Sequence, residues 1–385
     1  MTIGLLTTSF PRRQGDVPGQ FVLGFARSLA VLGHRVEVLA PEPNERMAPP
    51  AFEGVDVSWL PYLPVRALQR TFYGAGVLDN VRRAPFSALG LGPFVVAMAR
   101  EARRRKWQAV VSHWALPCAL VAAELDVPRH LAVLHSADVF LLEQLPLRRL
   151  LATRIASGAD ELLFSSRALR ARFLALLSPV ERGQVATRCH VCAMGIEPAG
   201  AAGDRAALRA QLGLRGFTVL SLGRLIALKG IDHAIAAVAQ LPDAELVIAG
   251  DGPDRARLER LAGPRVRFVG ELHGAQKSRW FQAVDAFVLP SIVLPSGRSE
   301  GMPTTLLEAM EHGLPVVASD VGGVSDVVKS GENGVLVPAA DPDAIAHALH
   351  TVRAASGLMA GARKTAAMYH WSELGPRLLE LTLGT

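Results

Sequence analysis

The sequence predicts a two-domain α/β protein in which each domain is a doubly wound parallel sheet. Three observations predict it. At 385 residues the chain is longer than one ordinary core organises and suits two domains of roughly 150 to 200 residues each. Half of its residues are apolar, with 35 glycines and few aromatics, which is the composition of a globular α/β chain and not of a disordered or fibrous one. Short apolar runs also alternate with helical patterns from one end to the other.

In the first half the strand candidates are Ile3 to Thr7, Val36 to Ala40, Val55 to Leu60, Ala109 to His113, Leu131 to His135 and Glu161 to Ser165. Between the first two lies Phe21 to Leu32, where Val22, Phe25, Leu29 and Leu32 mark one helical face. Gly33 stops that helix, and His34 begins the approach to the next strand. A strand, a helix and a strand in about 30 residues make a parallel sheet covered on both faces.

The second half repeats this logic. Its strand candidates are Val219 to Leu222, Leu246 to Ala249, Val266 to Val269, Ala286 to Leu289, Val316 to Ala318 and Gly334 to Val337. Helical patterns run over Ile231 to Gln240, Asp254 to Leu261, Gln276 to Ala283, Thr304 to His312 and Asp343 to Val352. The stretch rich in Ala, Gly and Pro from Pro198 to Gly203 is the expected linker. The expected domains are therefore 1–197 and 204–365, with a final helical pattern from Ala366 to Leu383 returning to the first domain. Ligands of doubly wound sheets bind at C-terminal strand ends where strand order reverses, so two such domains facing each other predict a site in the cleft between them.

Charge and cysteine content narrow the function classes. Residues 1–190 carry 23 Lys and Arg against 15 Asp and Glu, net +8, whereas residues 191–385 carry 18 against 20, net −2. Such asymmetry predicts an anionic partner or surface for the first half, with arginine-rich composition as the bland alternative. No zinc-finger spacing, aromatic RNA-binding signature or basic heptad region accompanies it, so no nucleic-acid partner is expected. Three cysteines cannot build a disulfide framework. The lone Cys189-His190-Val191-Cys192 lacks a second ligand pair and reads as a short strand running into a Gly turn. No apolar run reaches the roughly 18 to 20 residues of a spanning helix, and Met1 to Ser9 shows no signal pattern. The expected location is cytoplasmic.

The densest chemical signal is Ser299 to Gly323, SEGMPTTLLEAMEHGLPVVASDVGG. Pro303 suits the first turn of a helix, where its missing N–H costs nothing. The amides of Thr304, Thr305 and Leu306 would then point outward from a helix N-terminus, a ready phosphate site. Glu300 precedes it and Glu308 follows Pro303 by about 7.5 Å along the axis. A carboxylate that accepts paired hydroxyl donors is the usual reader of a ribose or a sugar. On spacing alone, Glu300 as a cap and Glu308 as a solvated side chain fit equally well. The second signal is Ser221 to Gly230, SLGRLIALKG, where Arg224 and Lys229 emerge beyond a strand. A planar fork and a mobile point charge suit a diphosphate; two exposed basic loop residues are the plain alternative.

In order, GRLIALKG, VIAGDGPDR, VRFVGEL, FVLPS, EGMPTTLLEAMEHGLPVVASDVGG and NGVLVP resemble the motifs of retaining glycosyltransferases of family 4, which have the GT-B fold of two Rossmann-like domains. The resemblance spans most of the chain and is strongest from Leu220 to Pro338. It implies transfer of a sugar from a nucleoside diphosphate sugar with retention, through same-face attack in which the leaving phosphate takes the acceptor's proton. Glu300 and Glu308 match the two acids of the family's E-x7-E motif, the first near the transferred sugar and the second on the ribose. Arg224 and Lys229 match the basic pair on the diphosphate. Gly301, Met302, Thr304, Thr305 and Leu306 match the segment whose amides touch sugar and phosphate, and Gly270, Glu271 and Leu272 match the turn near the base. Gly250, Asp251 and Gly252 match a structural glycine turn.

In the first half, VVSHWALP and LAVLHSADV resemble the family's two His-containing strand ends. His135 matches the position facing the donor sugar and carries the expected polar or acid/base role; His113 is second, with core packing as its alternative. Where the family often has a double glycine, this chain has QGDVPGQF, so Gly15, Asp16 and Gly19 are the candidate loop contacts. Asp341-Pro342-Asp343 spells the metal-binding D-x-D of another glycosyltransferase fold, but it precedes a late helix, where Asp343 suits an N-cap. Arg224 and Lys229 bring the charge a metal would bring, so neither metal nor cofactor is expected. Residues 62–106 mix Arg66, Arg70, Arg82, Arg83, Arg100 and Arg103 to Lys106 with an uncharged run, Pro85 to Ala99. An interfacial patch for a lipid-linked acceptor on the inner membrane face looks like this, as does a buried helix with snorkelling arginines or a lid over the acceptor. The rival functions are a nucleotide-sugar epimerase of similar architecture and a non-catalytic nucleotide-sugar-binding protein.

Overall fold

The computed structural model describes residues 1–385 except 14, 15, 17, 46–50, 74–76, 202, 356 and 385, and leaves aside the side chains of residues 78, 79 and 82. The chain forms two compact units, Met1–Gly195 with Trp371–Thr385, and Ile196–His370.

The first unit is a seven-stranded sheet of β1 (Thr2–Leu6), β2 (Arg35–Pro41), β3 (Val55–Leu60), β4 (Ala109–His113), β5 (His130–Leu134), β6 (Glu161–Phe164) and β7 (Cys189–Val191). All of its pairings are parallel, in the order β3-β2-β1-β4-β5-β6-β7. Strand order reverses between β1 and β4. The central strands are buried on both faces, as their near-continuous Val, Ile and Leu runs require.

The second unit is a six-stranded sheet of β8 (Phe217–Leu222), β9 (Ala244–Ala249), β10 (Val266–Gly270), β11 (Ala286–Leu289), β12 (Val316–Ser319) and β13 (Gly334–Val337), also all parallel. Its order is β10-β9-β8-β11-β12-β13, with the reversal between β8 and β11. The twelve expected strands of the two halves are all present within a residue or two at their ends.

Two boundaries differ from expectation. The stretch expected as a linker is tied to the second unit, because Ala199 N donates to Glu311 Oε1 at 2.9 Å and Gly203 N to Gln282 Oε1 at 2.7 Å. The units change over earlier, at Gly195–Ile196. The final helical pattern is broken, with one helix over Gly357–Ala367 and another over Trp371–Leu383. Between them Tyr369 O accepts from Ile196 N at 2.9 Å, and His370 Nε2 meets Glu311 Oε2 at 2.7 Å. These non-helical partners hold the backbone out of the helix just where the chain re-enters the first unit. The last helix then packs on the helix Gln20–Val31, where a Cβ at Gly24 would come within 2.4 Å of the Trp371 ring.

Candidate functional site: a two-acid, two-lysine cluster at a sheet switch point

The C-terminal ends of β8 and β11 flank the reversal of the second sheet, the place where a doubly wound sheet opens a crevice for ligand. The loop after β8 carries Arg224 and Lys229, and the loop after β11 carries Ser291 and Glu300. Backbone packing holds the two loops together. Ile292 N donates to Leu228 O at 2.9 Å. Gly230, with φ of 56°, sits where a Cβ would be 2.1 Å from Pro290 O. Only glycine accepts both the left-handed backbone and that approach.

Lys229 and Glu300 meet across the switch point. Lys229 Nζ lies 2.6 Å from Glu300 Oε1, and the buried Ser291 hydroxyl donates to the same oxygen at 2.7 Å. Glu300 is therefore no helix cap. It is a nearly buried carboxylate, and burial of such a charge is tolerated because it is paired and hydrogen-bonded. The loop after β12 buttresses it: Gly323 N donates to Gly301 O at 2.9 Å, and a Cβ at Gly322 would be 2.0 Å from Glu300 O.

The helix Thr304–Glu311 begins beside this pair. Pro303 is its N-cap, with extended backbone at φ −73° and ψ 120°, and not its first residue as expected. Proline has no side-chain acceptor, so no side chain caps this helix. Leu306 N donates to Pro303 O at 3.1 Å and its side chain is fully buried, so its amide is engaged within the first turn and does not point freely outward as expected. The outward amides are those of Thr304 and Thr305, and Met302 and both threonines are half-buried.

Glu308 lies one turn on. Its Oε1 is 2.7 Å from Nζ of Lys277, on the helix Gly274–Ala283. Its Oε2 is buried with no hydrogen-bond partner among the described residues. Glu308 is thus not simply solvated; half of its carboxylate is spent and half presents an acceptor.

The glycine turn after β9 supports the Arg224 loop. A Cβ at Gly250 would be 1.9 Å from Gly223 O, and one at Gly252 2.3 Å from Leu225 O. Asp251 Oδ1 is engaged by Gly252 N at 2.7 Å, which makes the turn structural. Gly270 ends the edge strand β10 and Glu271 and Leu272 follow it: Gly270 has φ of 73° with open space beyond its Cα, Glu271 is exposed and Leu272 buried. All these groups share the C-terminal strand edge. A cavity of about 580 Å³ in the same unit, lined among others by Phe217, Asp285, Pro315 and Arg363, lies at the opposite edge, where β8, β11 and β12 begin.

In the first unit His113 ends β4 and His135 follows β5 as the N-cap of the helix Ser136–Gln144. The two rings stack within 8° of parallel, and His113 Nδ1 is 3.1 Å from His135 Nε2. Phe21 and Trp114 pack on both. Burial lowers His135 to about 3 and carries His113 well below the usual range, so both are neutral at physiological pH. The buried Asp138 accepts from the amides of Ala115, His135 and Val139 at 2.6, 3.2 and 3.0 Å, while burial raises it to about 7.

The loop contacts expected after β1 fare differently. Gly15 lies outside the described residues. The Asp16 carboxylate is spent on Arg12, whose Nε is 2.7 Å and amide 3.0 Å away; burial raises its pKa, but these bonds win and lower it. Gly19 is the left-handed N-cap of Gln20–Val31, with space for no Cβ because Ser9 O would be 2.5 Å away. Asp16 and Gly19 therefore build the loop. Asp341, and not Asp343, caps the late helix by accepting from Ala344 N at 2.9 Å, whereas Asp343 accepts from Gln240 at 2.8 Å. Cys189 and Cys192 are buried free thiols. Among the described residues no three His, Cys, Asp or Glu side chains come together as a metal-holding group.

Residue reasoning missed Lys277, Ser291, Trp114 and Asp138. Ser291 had a signal as the last letter of FVLPS, and Trp114 and Asp138 lie inside VVSHWALP and LAVLHSADV; Lys277 had none.

Comparison with known proteins agrees with this architecture. Residues 216–354 match the family model described as glycosyl transferases group 1. The chain is 30% identical to a D-inositol 3-phosphate glycosyltransferase of Mycolicibacterium gilvum, over 95% of this chain and 84% of that one. It is 28% identical to a GDP-mannose-dependent alpha-(1-6)-phosphatidylinositol monomannoside mannosyltransferase of Mycobacterium tuberculosis, over 99% and 97% of the two chains. A solved sucrose-phosphate synthase from Thermosynechococcus elongatus superposes with a TM-score of 0.76 at 23% identity, over 99% of this chain and 98% of that one. The chain belongs to the group 1 glycosyltransferases, the GT-B-fold enzymes of the family 4 type.

Proposed function

We propose that this glycosyltransferase takes its sugar from a nucleoside diphosphate sugar held at the C-terminal strand edge of the second unit, and passes it to an acceptor hydroxyl with retention and without a metal. The observation that carries the donor reading is the buried, unpartnered Oε2 of Glu308, one turn from the uncapped amides of Thr304 and Thr305. A buried carboxylate oxygen is costly unless it accepts a hydrogen bond, and ribose hydroxyls are donors of the right kind. In this reading the two amides and the helix dipole hold the diphosphate. Arg224 and Lys229 add the positive charge that stabilises it as it leaves. Glu300, pinned by Lys229 and Ser291, faces the transferred sugar. The departing phosphate accepts the acceptor's proton, so no covalent nucleophile is needed.

GDP-mannose is the donor we place first, because a near full-length relative is named for it. The test is a panel of GDP-, UDP- and ADP-sugars followed by thermal shift and by release of nucleoside diphosphate, with and without a chelator. Release that survives chelation supports the reading. Epimerisation with the diphosphate still attached would make the protein an isomerase, and binding without turnover a non-catalytic receptor.

For the acceptor we propose a lipid-linked, inositol-bearing head group met at an anionic membrane surface on the cytoplasmic side. Among the described residues no helix is long and apolar enough to cross a membrane. The helix Leu91–Ala102 buries Phe94 and Met98 and exposes Val96, Arg100 and, just past its end, Arg103 along one stripe. Phe86 and Leu89, just before it, are 53% and 71% exposed. Apolar side chains left in water beside arginines suit an interface plane. Binding to anionic but not neutral vesicles, lost at high salt, supports this; equal failure on both removes it.

A further inference from the structure

We propose that Lys277 is a positioning residue for the donor ribose, acting through Glu308; the inference rests on the reading of Glu308 given above. Lys277 stands on the helix Gly274–Ala283 and reaches across to Glu308 on the helix Thr304–Glu311, with Nζ 2.7 Å from Oε1. The two helices are joined at a second point, where the His312 ring stacks on Phe281 with centroids 5.3 Å apart. Lys277 is therefore presented from a fixed backbone.

A free glutamate swings its carboxylate through several rotamers and pays that freedom when it binds. With Oε1 held by an ammonium, the terminal torsion is set and Oε2 occupies one place. That oxygen is the one left buried and unpartnered. A carboxylate oxygen fixed in this way is a ready acceptor for paired hydroxyl donors. The other acid of the motif is arranged the same way, with Glu300 Oε1 taken by Lys229 and Ser291. Each acid thus has its own lysine, drawn from a different element. Lys229 comes from the Arg224 loop at the switch point. Lys277 comes from the helix that follows the Gly270–Leu272 turn, so its effect belongs to the nucleoside half of the donor.

The test is a cycle between protein and ligand. Dissociation constants are measured for whichever of GDP, UDP and ADP binds wild type most tightly, for its 2′,3′-dideoxy analogue, and for inorganic pyrophosphate. The proteins are wild type, Lys277→Ala, Lys277→Arg and Glu308→Ala. Lys277→Ala is expected to weaken the parent nucleotide about tenfold, the loss of roughly one charge-assisted hydrogen bond. The dideoxy analogue should bind wild type and Lys277→Ala within about twofold of each other, because the effect runs through hydroxyls that it lacks. Pyrophosphate should be unaffected, and Lys277→Arg should recover part of the loss. Equal weakening of parent and dideoxy nucleotide by Lys277→Ala would overturn the proposal while leaving the ribose role of Glu308 standing. Equal binding of the two ligands by wild type would overturn the ribose role itself, and the proposal with it. Urea midpoints of all variants separate these outcomes from loss of fold.

Discussion

Replacing Glu300 by Ala should cost stability and activity by separable amounts. Lys229 Nζ and Glu300 Oε1 are 2.6 Å apart, with side chains 15% and 8% exposed. At an effective dielectric of about 20 the gross attraction at that distance is ~6 kcal/mol. Desolvation of the two ions consumes several kcal/mol of it, so the intact pair is nearly neutral for stability. Removing one partner is different, because Lys229 is then left with a largely buried, unpaired charge and the Ser291 hydroxyl loses its acceptor. A fully buried orphan costs about 3–5 kcal/mol; the residual exposure of Lys229 brings the expectation for Glu300→Ala to about 2–4 kcal/mol. The double variant Glu300→Ala/Lys229→Ala should be less destabilised than the sum of the singles by about 1–3 kcal/mol. Urea unfolding of the four proteins at neutral pH reads this directly. All three variants should lose glycosyl transfer, including the double variant whose fold is partly rescued. Strict additivity of the single costs would refute a direct pair, and transfer activity in the double variant would refute its place in the site.

Further predictions follow from other contacts. Thr304→Pro removes one outward amide at a position where Pro303 is already extended and proline suits a first helical turn, so unfolding should change by less than about 0.5 kcal/mol while donor KM rises about tenfold; an unchanged KM removes the amide from the site. Gly322→Ala forces a Cβ toward Glu300 O from a left-handed φ of 59°, and should cost about 2 kcal/mol or more together with activity; a stable active variant contradicts the packing. His135 is held neutral, with its pKa lowered by burial to about 3, against roughly 6.5 in an unfolded chain. The unfolded state therefore binds the extra proton, so the stabilising effect of neutral His135 is complete above about pH 6.5 and is lost progressively as pH falls toward 3. The gap in urea midpoint between wild type and His135→Asn should close with acidification, and a gap that widens refutes the assignment. Phe86→Ser with Leu89→Ser should abolish binding to anionic vesicles while leaving the fold intact, and retained binding places the membrane contact elsewhere.

The sheets were legible because each strand announced itself locally. The runs from Ile3 and Val219 and the repeat of turn, helix and strand after them carry the alternation on which parallel sheets depend. The site was legible where residues follow one another along the chain, as with the helix start at Pro303 and the loop from Arg224 to Lys229. What could not be read were partnerships between elements. Lys277 looks like a solvated position on an amphipathic helix until the sheet order brings that helix beside Glu308. Asp16 looks like a loop carboxylate free for ligand until the loop folds Arg12 onto it. The break at Met368 to His370 has helical propensity against it in no way; Ile196 and Glu311 impose it from a distance. Buried carboxylates such as Asp138 are likewise defined by backbone amides that only the tertiary fold assembles.

The donor site is the central claim, and a crystal structure of the protein soaked with the nucleoside diphosphate that binds it most tightly tests it most directly. The account predicts ribose hydroxyls on Glu308, with Oε2 accepting and Oε1 still on Lys277. It predicts the diphosphate on the amides of Thr304 and Thr305 with Arg224 and Lys229 beside it. A nucleotide seated at the opposite strand edge, in the cavity by Phe217 and Arg363, or bound with Glu308 Oε2 untouched, would contradict it.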